Sequence, residues 1–104
     1  MARGINTKCT HLEEDEQSIK NYGAISYPIY QTATYAHMGV GRSTGFDYSR
    51  LQNPTNDAVA EKICELEGGV AAMLTSSGQA ANFYTIANLC QAGDHIVCSA
   101  KVYG

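Results

Sequence analysis

The sequence predicts an α/β fold built on a parallel sheet. Three observations carry that prediction. Residues 54–104 alternate helical and strand-like patterns in the order helix, strand, helix, strand. The two strand-like runs, VAAMLT (70–75) and HIVCSA (95–100), are short and apolar, as in strands covered on both faces. The connections are brief and rich in turn formers: Gly68-Gly69, Ser76-Ser77-Gly78 and Ala92-Gly93-Asp94.

Each element has a local reason. Pro54 suits the first turn of a helix, and Asn53 or Thr55 can cap its free N–H groups. Val59, Ile63 and Leu66 follow at i, i+4 and i+7, which gives one apolar face. Gly68-Gly69 supplies the stop. QAANFYTIANLC (79–90) places Phe83, Ala87 and Cys90 on one face and reads as a second helix. Residues 1–53 differ. HLEEDEQSIKN reads as a charged, solvated stretch. Tyr22, Tyr27, Tyr30, Tyr35, Phe46 and Tyr48 follow without a regular period, as in an arm packed on something. The predicted organisation is an arm over 1–53 and the start of an α/β domain over 54–104. Two buried parallel strands need more neighbours than this chain supplies. The expectation is therefore a piece of a longer protein, with dependence on a partner as the alternative.

Composition bounds the function. The chain has 104 residues, 44% hydrophobic and 16% charged, which suits one globular domain. A net charge of −3 argues against nucleic acid or an anionic membrane as the main partner. No apolar run approaches the length of a membrane span, and MARGINTKCTHLEEDEQ lacks the apolar core of a signal peptide. A cytoplasmic protein is expected. Cys9, Cys64, Cys90 and Cys98 form no C-x-x-C pair and are expected as buried free thiols. His11, His37 and His95 show no ligand spacing with them, so no metal site is expected.

Four places could meet an anion or a flat ligand. GVGRST (39–44) imitates the end of a phosphate-binding P-loop. The first glycine of that motif is missing, Arg42 stands at the lysine position, and TGFDYSR rather than a helix follows, so a polar loop is expected. TSSGQAAN (75–82) runs from a strand through a turn into a helix. There the helix N-terminus offers free N–H groups at the positive end of a dipole and the glycine lets a ligand approach the backbone, though an ordinary cap by Ser76 or Ser77 explains the same letters. Tyr48 and Arg50 lie two apart in an expected extended segment and so share a side. Arginine makes two-pronged bonds to phosphate and a tyrosine hydroxyl can add one, although a surface arginine beside a packing tyrosine is the blander reading. Tyr103 follows the second predicted strand, at the sheet edge where open α/β folds bind ligands, and an aromatic there can stack on a planar ring or simply pack.

Six motifs in order tie these places together: PIYQTATY (28–35), YSRLQNPT (48–55), LEGG (66–69), SSGQAA (76–81), AGDHIV (92–97) and YG (103–104). In order and spacing they resemble the Cys/Met-metabolism family of pyridoxal-phosphate (PLP) enzymes, which includes cystathionine γ-synthase, cystathionine lyases, methionine γ-lyase and O-acetylhomoserine sulfhydrylase. The resemblance covers residues 22–104. It implies the N-terminal part of a fold-type I PLP-dependent transferase, with an arm that contacts a neighbouring subunit in a homo-oligomer, a dimer of dimers. It implies PLP as cofactor and a small amino-acid substrate. By the same resemblance Tyr48 and Arg50 hold the PLP phosphate of a neighbouring subunit, Gly78 and Gln79 donate backbone N–H groups to that phosphate, and Tyr103 stacks on the ring and assists leaving-group chemistry. PLP supplies an electron sink while Cα and Cβ protons leave and a γ substituent is expelled. A sulfur nucleophile then adds, or the product hydrolyses. Gln79 after the Ser-Gly pair is similar to the sulfhydrylase branch and tilts the expectation to γ-replacement on an activated homoserine, with γ-elimination as the alternative. The resemblance places the cofactor-bearing lysine and the aspartate that pairs with the ring nitrogen beyond Gly104. None of Lys8, Lys20, Lys62 and Lys101 matches that lysine, and the 104 residues alone are expected to be inactive. Outside the resemblance stand a non-catalytic assembly fragment and a nucleotide module built on GVGRST.

Overall fold

The computed structural model describes residues 4–11 and 21–103. Most of HLEEDEQSIKN lies outside them. The chain forms two compact units, Met1–Leu74 and Thr75–Gly104. The first contains helix α1 (Ile5–Thr10) and helix α2 (Pro54–Glu67); the second contains helix α3 (Gly78–Leu89).

Helix α2 begins and ends as its sequence dictates. The Asn53 side chain accepts a hydrogen bond from the Thr55 N–H at 2.8 Å, and Pro54 takes a position where its missing N–H costs nothing. Asp57 in the first turn sits favourably against the helix dipole. Gly68 closes the helix at φ 65, ψ 27, in the left-handed region, and the Gly69 N–H returns to the Cys64 carbonyl at 2.9 Å. The short α1 packs against α2, and Lys8 reaches Glu65 at 3.1 Å. Helix α3 starts from Ser77, whose hydroxyl accepts the Ala80 N–H at 3.0 Å.

The arm between them is not a free tail. Residues 33–35 and 47–49 run antiparallel: the Ser49 N–H donates to Ala33 O at 2.9 Å, and the Tyr35 N–H to Asp47 O at 3.1 Å. Tyr35 and Phe46 rings meet at 5.7 Å beside this pairing. GVGRST forms the tip. Its Arg42 N–H turns back to Gly39 O at 3.0 Å, Gly41 takes φ 70, and no helix follows, so the tip is a hairpin turn and not a phosphate loop.

Three expectations are corrected. VAAMLT and HIVCSA carry no ladder hydrogen bonds, and the one β-bridge among the described residues joins Thr34 to Tyr48. The physical reason is that a strand exists only through its neighbours, and each run stands without one in its unit. Residues 95–100 are all exposed rather than covered. The Val59, Ile63 and Leu66 face of α2 is also largely exposed, while Pro54 and Ala60 are buried. The four cysteines are free as expected but not buried: Cys9 and Cys98 are exposed, and Cys64 and Cys90 are half-buried. Among the described residues no helix is long and apolar enough to cross a membrane.

Candidate anion-binding site

Tyr48 and Arg50 do come together. The Arg50 guanidinium donates from Nη2 to the Tyr48 hydroxyl at 3.2 Å, and its centre stands 4.9 Å from the Tyr48 ring centroid. Stacking on an aromatic face holds an arginine in place without neutralising it. Arg50 is exposed, and among the described residues no carboxylate pairs with it. The cause of the juxtaposition differs from the expected extended segment. The Leu51 and Gln52 N–H groups both turn back to Tyr48 O, at 2.9 and 3.1 Å, so the chain leaves the bridge at Tyr48 and enters a turn that holds Arg50 beside the ring.

Ser49, between the two, is tied to the interior. Its hydroxyl donates to Thr32 O and accepts from Asn53 Nδ2 at 3.0 Å, with the Tyr35 hydroxyl at 3.5 Å. Asn53 is buried and also donates to Tyr30 O at 3.0 Å while its oxygen caps α2. Thr55 completes the cluster: its hydroxyl accepts the Tyr30 N–H at 2.9 Å and donates to Pro28 O at 3.2 Å. PIYQTATY, YSR and NPT are therefore one hydrogen-bonded assembly. Sequence alone signals Asn53 as a cap, and nothing in it marks Ser49 beyond its place between two outward residues.

In the second unit, Ser77 satisfies the Ala80 N–H, and the Ala81 N–H binds Ser77 O at 3.0 Å. Gly78 and Gln79, at the first two helical positions, keep their N–H groups without a partner among the described residues. A Cβ on Gly78 would meet nothing within 4 Å, so no neighbour in this chain requires the glycine; an open approach to the backbone remains. Tyr103 is exposed at 83%. Each unit thus offers donors suited to a phosphate dianion: an uncompensated guanidinium with a phenol, and two N–H groups at a helix start. The donor chemistry fits PLP.

The sequence profile described as Cys/Met metabolism PLP-dependent enzyme matches residues 6–104. The chain belongs to that family, whose members depend on PLP. It is 47% identical over 102 residues to the cystathionine beta-lyase of Lactococcus lactis subsp. cremoris (strain MG1363), covering 96% of this chain and 26% of that protein. It is 38% identical over 104 residues to the cystathionine gamma-synthase/O-acetylhomoserine (thiol)-lyase of Bacillus subtilis (strain 168), covering 100% of this chain and 27% of that one. The structure resembles the cystathionine gamma synthase of Xanthomonas oryzae pv. oryzae crystallised with aminoacrylate and cysteine. The TM-score is 0.75 at 30% identity, over 90% of this chain and 24% of that one. The chain spans about a quarter of the length of these relatives.

Proposed function

We propose that this chain is the N-terminal part of a fold-type I PLP-dependent enzyme of sulfur amino-acid metabolism. The reaction is γ-replacement on an activated homoserine. VAAMLT and HIVCSA become strands of a mainly parallel sheet once the rest of the protein pairs with them. Residues 1–53 act as an arm against a neighbouring subunit of a homo-oligomer, a dimer of dimers, and 54–104 open the PLP-binding domain. The enzyme is cytoplasmic.

The observation that carries the reading is the exposed Arg50–Tyr48 contact, a cation held in place with no carboxylate paired to it among the described residues. In this reading Tyr48 and Arg50 bind the phosphate of a neighbouring subunit's PLP, while the Gly78 and Gln79 N–H groups bind the phosphate of their own subunit's PLP from the helix start. Tyr103 orients the ring by stacking and moves a proton at its hydroxyl as the substituent leaves. PLP, when bound, supplies the electron sink. The similarity to a protein named both γ-synthase and thiol-lyase supports replacement. The similarity to a cystathionine β-lyase favours a second reading, elimination.

The test uses the full-length protein. Bound PLP is expected to absorb in the visible and to be trapped by borohydride. Arg50→Ala is expected to weaken PLP binding by roughly 1.5–3 kcal/mol with the fold intact, the worth of a hydrogen bond to a charged group. Unchanged affinity removes Arg50 from the site. Turnover of O-acetylhomoserine plus sulfide, set against methionine alone and cystathionine alone, separates replacement from elimination.

A further inference from the structure

We infer that Asn53 and Ser49 are positioning residues for the Tyr48–Arg50 pair. This inference rests on the proposed phosphate role of that pair. It is carried by the hydrogen bonds that converge on Ser49 and Asn53 beside the pair, most of them part-buried.

Ser49 follows Tyr48 and precedes Arg50, so wherever its Oγ is held, both neighbours are held with it. Three groups from two segments hold it. Thr32 O comes from the opposing arm of the hairpin, the Tyr35 hydroxyl from the same arm, and Asn53 Nδ2 from the start of α2. Asn53 in turn is 7% exposed and makes use of both ends of its amide. Its oxygen binds the Thr55 N–H at 2.8 Å, and its nitrogen binds Tyr30 O and Ser49 Oγ, each at 3.0 Å. An ordinary N-cap needs only the oxygen. The two donated bonds fasten the Arg50 turn to α2 and to the arm at once. Neither residue touches the exposed guanidinium, so both act through the backbone of residues 48–50.

Geometry of this kind decides how well a two-pronged donor meets its anion. Loosening the turn leaves charge and hydroxyl present but spreads their positions, and affinity falls without loss of either group.

The cap and the positioning role are separable by Asn53→Ser. Serine caps a helix about as well as asparagine but is too short to reach Tyr30 O and Ser49 Oγ from the same backbone position. In the full-length apoenzyme titrated with PLP, N53S is expected to raise the dissociation constant about fivefold or more. In an Arg50→Ala background the same change is expected to have a clearly smaller effect, because Arg50 is gone and only the Tyr48 hydroxyl is still being positioned. Ser49→Ala is expected to behave alike and carries the test if N53S does not fold. Wild-type PLP affinity in both variants overturns the inference, and so does an effect that persists in full beside R50A, which marks a merely structural role. If R50A itself leaves PLP affinity unchanged, the phosphate reading falls and this inference with it. If R50A weakens binding and neither N53S nor S49A does, only this inference falls.

Discussion

At the scale of single residues, Arg50 and Tyr48 would divide the work of the proposed phosphate grip. The guanidinium carries the charge, and the phenol ring beneath it limits where that charge points. Arg50→Lys keeps the charge but loses the planar fork, so PLP affinity in the full-length protein should fall between wild type and Arg50→Ala. Tyr48→Phe keeps the ring and removes one hydroxyl. A loss of about 0.5–1.5 kcal/mol in PLP binding is expected, two- to tenfold in the dissociation constant. Equilibrium titration of the apoenzyme measures both. Equal losses for lysine and alanine at position 50 would mean that bidentate geometry dominates, and a silent Tyr48→Phe would leave the tyrosine a packing role.

At the scale of elements, each long helix is set by its caps more than by its apolar face. Ser77→Ala removes the bond to the Ala80 N–H and should cost about 1 kcal/mol of stability. It leaves the Gly78 and Gln79 N–H groups in place, so PLP affinity should drop far less than for Arg50→Ala. Gly68→Ala forces a Cβ into the left-handed region at φ 65 and should cost roughly 1 kcal/mol, read as a lower urea midpoint with an unchanged slope. The caps at Asn53, Ser77 and Gly68 were legible because they are local chemistry, spelled within four residues. The strands at 70–75 and 95–100 were not, because apolar letters specify burial but not the neighbour that completes a ladder. The same holds for Val59, Ile63 and Leu66, whose spacing marks a face without naming its partner.

At the scale of the whole molecule, two predictions follow from charge and from assembly. Lys62 hydrogen-bonds Glu65 at 2.9 Å and Lys8 joins from α1, and together they hold the Glu65 carboxyl below its usual range. A depressed carboxyl stabilises the fold above its ordinary titration range and loses that contribution as pH falls through the lowered value. Glu65→Gln should therefore flatten the acid side of the stability profile, measured as Tm between neutral pH and the onset of acid unfolding. An unchanged profile would make the α1–α2 ion pair irrelevant. The second prediction concerns a site shared between subunits. If Arg50 serves a neighbour's cofactor, Arg50→Ala and Tyr103→Phe place their defects on opposite contributions to one site. At a PLP concentration too low to saturate Arg50→Ala, mixing the two impaired variants through dissociation and reassembly should raise activity to about a quarter of wild type, since half the random dimers are hybrids with one intact site of two. No recovery would put both residues on one subunit's site.

By itself the sequence determined the family and the helix limits and named candidate phosphate donors, because motif order, caps and donor types are written in short local stretches. Only the tertiary structure decided that Tyr48 and Arg50 meet across a turn rather than along a strand. It also decided that Ser49 and Asn53 stand behind them, fastened to Thr32, Tyr35 and Tyr30. Those bonds join residues up to 23 positions apart. Folding alone brings such residues within reach, and a hydrogen bond depends on distance and direction that no spacing in the chain encodes.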